Sequence, residues 1–437
     1  MANYTFETMS QSDASAFTSA DYLFFLSGSV ANLGVSDTPQ SVTSNGLGST
    51  TVFESITLTE GGKSLTFGAD ALATASQSSP DHVVFGNNEV AIFGTAATAD
   101  TFTVVGTAGH AAVAFGFGGA DHITGGAGND TLNGGEGNDV IVGSSSGTDS
   151  HGHLIENDFL LGGNGADTIT GGVGNDHIYG NVAVGAAGTA DGADSLDGGN
   201  GNDYINGNAG NDVIHGGNGN DRLYGGANND TIDGGNGNDY IQGNKGNDQL
   251  FDNNGGNDTI HGGADNDWIH VTTGNNSLWG DNGNDSIYSG NGHDTVVGGA
   301  GYDYMQASTD AAHHTTFVFA AGDSSVANLT TNVTAGSHDL TDWIAGFTHG
   351  NDHLSLGFTV TGIETASGGT ATNFANVDDA YTYAKAILAG HGTEVAALEV
   401  GTDTYLFWDS SHSTGTVDSV LGLGHYDAAT VVKADFV

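Results

Sequence analysis

The chain has 437 residues, 52 acidic side chains against 5 basic ones, and a formal net charge of -47. Nucleic-acid binding needs a basic footprint, and Lys63, Arg222, Lys245, Lys385 and Lys433 cannot build one. The absence of Cys excludes a disulfide scaffold, two Pro exclude collagen, and no apolar run reaches the length of a transmembrane helix. So many carboxylates repel one another in any compact state. Disorder would relieve that repulsion, but 37% hydrophobic residues argue against it. Bound cations are the other relief, and short Asp carboxylates on Gly-rich loops are hard oxygen ligands suited to Ca²⁺.

In chain order, residues 1–117 contain no nonapeptide repeat. The start, Met1-Ala2-Asn3-Tyr4, carries no basic segment, so no Sec-type leader is expected. A short helix is predicted around Ala14–Phe25 within Ser/Thr-rich β structure. From His82 onward strands are predicted at Val83–Phe85, Val90–Phe93, Thr101–Val105 and Ala112–Phe115. These read as metal-free coils that close one end of a stacked structure, with anchoring or assembly as a further role for the segment.

From Gly118 to Tyr304 a nine-residue unit recurs: two glycines, a variable residue, Gly or Asn, a variable residue, Asp, a variable residue, a branched aliphatic and a variable residue. Gly125–Asn133 and Gly216–Tyr224 are good copies. Six Gly/Asn-rich residues favour a tight turn, and the next three favour a short strand whose middle side chain faces inward. The inward set is Ile123, Leu132, Ile141, Leu160, Ile169, Ile178, Leu196, Ile205, Ile214, Leu223, Ile232, Ile241, Leu250, Ile260, Ile269, Leu278, Ile287 and Val296. Such constancy is what a stacked two-sheet core demands, and a flexible linker has no reason to keep it.

This array resembles the RTX (repeats-in-toxin) calcium-binding nonapeptide family over roughly two-fifths of the chain. The resemblance implies an all-β fold, a calcium-bound parallel β-roll flanked by β-rich segments, with two nonapeptides per coil. Residues 18 apart then stack on one edge, and the Asp residues sort into two rows. The first runs Asp121, Asp139, Asp158, Asp176, Asp194, Asp212, Asp230, Asp248, Asp267, Asp285 and Asp303. The second runs Asp130, Asp149, Asp167, Gly185, Asp203, Asp221, Asp239, Asp258, Asn276 and Asp294, with one-residue insertions before Asp149 and Asp258. Ca²⁺ takes about 6–8 oxygens at about 2.3–2.6 Å, and a strand spacing of about 4.8 Å lets successive loops share an ion. The expectation is an unbroken ion row on the first edge and a second row interrupted at Gly185 and weakened at Asn276.

Residues 305–437 form the third expected segment, after 1–117 and 118–304. Thr316–Phe319, Asp342–Phe347 and Gly350–Leu356, a helix at Val377–Ala389, Thr404–Asp409 and the closing Ala434-Asp435-Phe436-Val437 are similar to the module that follows RTX repeats in type I secretion substrates. The arrangement also resembles the C-terminal region of RTX-type surface-layer proteins. That resemblance implies the type I secretion machinery as a partner. It also implies a chain that folds only in extracellular calcium, by ligand binding to the native state alone.

No catalytic passenger is evident. The His-Glu-x-x-His zinc motif is absent. Gly143-Ser144-Ser145-Ser146-Gly147 matches the nucleophile-elbow string but lies in an insertion between repeats. Gly62-Lys63-Ser64 lacks the first glycine of a phosphate loop, and His151, His153, His313 and His314 read as solvated loop residues. Outward-facing Phe159, Tyr179, Tyr204, Tyr224, Tyr240, Trp268, Trp279 and Tyr288 are ordinary strand residues or a lateral contact surface, Tyr204, Tyr224 and Tyr240 on a shared face. The resulting expectation is a secreted, non-enzymatic structural protein of the cell surface that assembles with copies of itself in an S-layer lattice. Cell-surface polysaccharide is a further candidate partner. An adhesin or matrix protein and a secreted hydrolase are the alternatives.

Overall fold

A nine-residue unit that gives one turn and one strand can bury its single inward aliphatic only by stacking on further copies, so the fold is a parallel solenoid. The structure, a computed structural model, describes residues 3–5, 22–25, 34–37, 56–60, 63–67, 81–85, 90–94, 99–103, 112–144, 156–181, 192–308, 310, 312–319, 342–349, 351–356, 358, 360–365, 374, 377–389, 394–400, 402–409, 417, 419–425 and 428–437. Its contacts divide the chain into two units, Met1–Asn218 and Gly219–Val437.

In the first unit, strands alternate between two parallel sheets. One sheet carries Val90–Phe93, Ala112–Gly118, Thr131–Glu136, Phe159–Asn164, His177–Tyr179 and Tyr204–Ala209 in spatial order. The other carries Thr101–Thr103, His122–Thr124, Val140–Val142, Thr168–Val173, Ser195–Asn200 and Val213–Asn218. The register puts Leu132 beside Leu160, Leu160 beside Ile178, and Ile141 beside Ile169. Before the repeats, Asp81–Phe85 pairs antiparallel with Val90–Phe93, and Val90–Phe93 pairs parallel with Ala112–Gly118. Gly34–Asp37, Ile56–Glu60 and Lys63–Phe67 make a separate antiparallel sheet. Tyr22–Phe25 is a strand, parallel to Asn3–Thr5 and to Asp81–Phe85, where a helix was expected. The Tyr-Leu-Phe-Phe run is aromatic and apolar, and sheet pairing overrides its weak helical pattern. Residues 14–21 of that expected helix lie outside the described residues.

In the second unit the same alternation runs from Arg222–Ala227 and Thr231–Asn236 onward, with Ile241 beside Ile260 and Leu250 beside Ile269. All eighteen predicted inward aliphatics are buried in their respective units. Parallel stacking continues past residue 304: Tyr304–Gln306 pairs with Asp342–Ala345, and His314–Val318 with His353–Ser355. The end is then closed by the antiparallel strands Glu394–Val400, Asp403–Trp408 and Ser419–Leu423, with the helix Val377–Ile387 packed on them. Trp343, Val377, Ala380, Ala384, Leu398, Tyr405 and Phe407 share that core. The final Phe436 bridges Leu354, and Val437 N–H donates to the Leu354 carbonyl. Buried Asp435 accepts from the Val432 N–H and meets His349 Nδ1 at 2.7 Å.

Candidate metal centres

Each repeat places its Asp at the end of the turn, directly before a strand, and its side chain runs along the edge of the stack. In the first unit, Asp100 N–H donates to Asp121 Oδ1, Asp121 to Asp139, Asp139 to Asp167, Asp167 to Asp194 and Asp194 to Asp212, at 2.7–2.9 Å. On the opposite edge Asp130 donates to Asp158, Asp158 to Asp176 and Asp176 to Asp203, each at 2.7 Å. In the second unit one row runs Asp230, Asp248, Asp267, Asp285, Asp303 and Asp342. The other begins Asp221, Asp239, Asp258, Asn276 and Asp294. Parallel to these rows, Asn side chains form an outer ladder, as where Asn238 N–H donates to Asn220 Oδ1 and Asn257 N–H to Asn238 Oδ1.

This corrects the expected sorting at three residues. Asp158 and Asp176 belong to the second row, and Asp167 belongs to the first. The insertion after Gly143 is longer than one residue, so the next partner of Asp130 lies 28 positions on rather than 19. That adds about one nonapeptide length and exchanges the edges of the following Asp residues. A second insertion before Gly192 exchanges them back, with Asp167 to Asp194 and Asp176 to Asp203 each 27 apart. Gly185 and Asp149 fall in these insertions, outside the described residues, and the expected gap at Gly185 has no counterpart: both rows pass that point through Asp residues. The one-residue insertion before Asp258 and the neutral rung at Asn276 are present as read from the sequence.

A carboxylate that accepts one backbone N–H on Oδ1 leaves Oδ2 to satisfy. The Oδ2 atoms of Asp121, Asp139, Asp158, Asp176, Asp239, Asp248, Asp267, Asp285 and Asp294 are buried and have no hydrogen-bond partner. Burial pushes the carboxyls of Asp158, Asp267 and Asp285 up to about 8, and those of Asp121, Asp239 and Asp294 up to about 7. Their charged forms are therefore strongly disfavoured in the protein alone. Stacked, buried, orphaned hard-oxygen ligands fit a divalent cation, which would satisfy the second oxygen and cancel the charge at once. The Asp carboxylates and the Gly carbonyl of the neighbouring coil, which both pack over the turn glycine, would supply the ligand oxygens.

The turn itself is built for that approach. Gly226 at φ 117° and Asn228 at φ 80° take the left-handed conformation that Gly and Asn tolerate best. A Cβ on Gly225 would strike Asp230 Oδ2, with the Gly243 carbonyl also inside van der Waals range. Gly225→Ala is expected to cost about 1–3 kcal/mol through this overpacking. Calorimetry with Ca²⁺ present should show a lowered melting temperature and weaker calcium affinity, and an unchanged thermogram would refute the steric account.

The strings that resemble catalytic motifs take no part. Ser144 is buried and its Oγ bonds the backbone N–H and carbonyl of Val173 across the stack. Ser145, Ser146, Gly147, His151 and His153 lie outside the described residues. His314 Nδ1 meets the Asn351 carbonyl at 2.8 Å, and its ring stacks on His293. Lys63 opens a strand paired with Glu60. One site residue is not found by the repeat period. Asp252, at the position where the repeat has its first Gly, is fully buried and lies beside Asp239 and Asp258. The signal for it is an Asp in the Gly position of a repeat that also carries the insertion.

The outward aromatics named from the sequence fall into runs within each unit, Tyr224 and Tyr240 sharing one of them. Phe159, Tyr179 and Tyr204 form one run with centroids 5.5–5.6 Å apart. Tyr224, Tyr240, His261 and Trp279 form another, with His261 and Trp279 stacked at 4.4 Å. Trp268, His270, Tyr288 and Tyr304 line the opposite sheet.

Against known families, residues 115–146, 155–182, 189–223, 215–250, 254–276 and 270–305 match the RTX calcium-binding nonapeptide repeat (4 copies). Among solved structures, the AlgE6R3 subunit from the Azotobacter vinelandii mannuronan C5-epimerase aligns at 22% identity, covering 43% of this chain and 78% of that one, with a TM-score of 0.16. No curated protein matches the chain. Among the described residues, no helix is long and apolar enough to cross a membrane. The stacked rows and the matched segments together identify the coils within residues 115–305 as RTX nonapeptide repeats, which bind multiple Ca²⁺ ions and imply an extracellular calcium-binding protein.

Proposed function

We propose that the protein is a non-enzymatic structural component of a bacterial surface. It leaves the cell through a type I secretion system, folds when extracellular Ca²⁺ fills the Asp rows, and assembles with copies of itself in an S-layer-type lattice. The ligand residues are the row positions read from the sequence other than Asp149, which lies outside the described residues. The observation that carries the assembly reading is the pair of outward faces. In the first unit one sheet presents a diagonal run of aromatic side chains, including Phe159 at 43% exposed, and in the second unit both sheets do, on a repeating frame with almost no basic residues. Such aromatic runs suit lateral packing, because they bury much area at small entropic cost. Calcium would then act twice, by rigidifying the frame and by lowering the charge that keeps copies apart.

A second reading, an adhesin or matrix protein that binds cell-surface polysaccharide, is favoured by one feature. An open hollow lined by Gln242, Lys245, Asp281 and Asn282 among glycines and alanines adjoins the stacked His261–Trp279 pair through the His261 Nδ1–Asp281 contact at 3.0 Å. A flat aromatic pair flanked by amide and charged groups suits a sugar ring.

Electron microscopy and sedimentation of the purified chain at millimolar Ca²⁺ separate the two. Ordered sheets that dissolve in EGTA are expected. A protein that stays monomeric at high concentration, and pulls down surface polysaccharide instead, would replace the lattice with the adhesin.

A further inference from the structure

Residues 251–253, which hold Asp252, depart from the repeat on either side of them. Two departures from the repeat coincide here. The turn from Asp252 to Asp258 is one residue longer than its neighbours, and an acid stands in the place of the first glycine. The longer turn is held by Asp252 itself: Oδ1 accepts from the N–H groups of Asn254 at 3.1 Å and Gly255 at 3.0 Å. That fixes the carboxylate plane and turns Oδ2 away from the loop.

Oδ2 of Asp252 points toward the second-row site. It is buried without a hydrogen-bond partner, in a side chain with no exposed surface. Ligand atoms of Asp239, Asp252 and Asp258 all lie within 4.8 Å of one another. At the regular turn of Gly225, the groups packed over the glycine are the carboxylate of the same repeat and the backbone carbonyl of the next coil's glycine. Over Gly234 they are Asp239 Oδ2 and Asp252 Oδ2. A carboxylate oxygen of the next coil thus packs over this glycine where the regular turn has a backbone carbonyl. Asp233, paired in register with Phe251, adds a further buried, unpartnered oxygen nearby.

The following coil departs in the opposite sense. Val271 pairs with Asp252 in register and is buried in the equivalent position, and Asn276 replaces the Asp of the row. Asn276 is internally satisfied: its Oδ1 accepts from Asp258 N–H and its Nδ2 donates to the Thr273 carbonyl. The row therefore gains a carboxylate at one rung and loses one at the next.

We propose that Asp239, Asp252 and Asp258 form a three-carboxylate divalent-cation site, distinct in composition from the repeat sites, that binds Ca²⁺ more tightly than they do and fills first in this unit. The proposal rests on the calcium-binding reading of the repeats. Charge count is the reason: ligand charge tunes affinity for this ion over orders of magnitude, and the preformed turn removes part of the ordering cost. The site would seed folding of adjoining coils, with a carboxylate holding the ion where the next rung offers only an amide and a valine.

The test is a Ca²⁺ titration of the full chain by calorimetry, repeated with Tb³⁺ luminescence, comparing wild type with Asp252→Asn and Asp252→Gly. Asn preserves the turn, and Gly restores the repeat. Wild type should show one site separable from the cooperative set. Both variants should lose it, with at least a tenfold weaker first binding step, while the remaining stoichiometry and the final β-sheet signal at saturating Ca²⁺ stay as in wild type. Superimposable isotherms for wild type and both variants would overturn the proposal. No Ca²⁺ binding by any of the three would instead overturn the repeat reading beneath it.

Discussion

Removing Ca²⁺ at pH 7 is expected to abolish most of the β-sheet signal of this chain. The reason lies in the rows. Each carries buried Asp side chains whose second oxygens have no protein partner, and every rung but Asn276 repeats a carboxylate on the next coil. Ligand binding at 100 times Kd stabilises a native state by about 2.7 kcal/mol per site, against a total stability of about 5–15 kcal/mol for an ordinary domain. A handful of filled sites therefore exceeds the whole margin, and emptying them reverses the sign. Far-UV circular dichroism in EGTA should show a largely unfolded chain, and millimolar Ca²⁺ should restore it cooperatively. Mg²⁺ should fail at equal concentration, because it dehydrates reluctantly and demands a smaller octahedral cage. Full β structure with cooperative melting in excess EGTA would sink the account of how this fold is held together.

Acid is expected to replace calcium in part. Asp121, Asp239 and Asp294 have carboxyls raised to about 7 and Asp158, Asp267 and Asp285 to about 8, in each case first by burial. In the unfolded chain the same groups titrate near 4. Between those values the metal-free folded state holds more protons than the unfolded state, so its stability falls as pH rises from about 4 through about 8. Metal-free protein should thus retain more β structure at pH 4.5 than at pH 7.5. With Ca²⁺ present the dependence inverts, because protons compete for the same oxygens, and calcium affinity should drop steeply as pH falls below about 7. Thermal melts across this range, with and without Ca²⁺, read both limbs. A metal-free chain that grows more stable toward pH 8 would show that these carboxylates are not buried as charge-disfavoured groups.

Under the export route proposed above, the two expectations would fit together: low Ca²⁺ and neutral pH would leave the rows repelling and the polypeptide extended, and extracellular Ca²⁺ would supply the missing half of each site.

Much of this was legible from residues alone. One aliphatic in nine, always at the same place, was enough to locate the core from Ile123 to Val296, since only a side chain that meets its copies above and below needs such constancy. Turn chemistry and the Asp position followed from the same period. Asn276 was correctly placed as a neutral rung because no insertion separates it from its neighbours. What the sequence left open was which edge an Asp occupies after a long insertion. A solenoid conserves the edge only through whole coils, so the residues between Gly143 and Glu156 exchange Asp158 and Asp167, and only the hydrogen-bonded register reveals it. The same limit hid Asp252: period reading marks it as a broken glycine position, whereas stacking carries it into contact with Asp239 and Asp258. Tyr22–Phe25 was likewise decided by long-range pairing with Asp81–Phe85, which local propensity cannot see. Local chemistry repeats along the chain and is read there; the partner across a coil is set by how many residues intervene, and that becomes visible only when the coils are stacked.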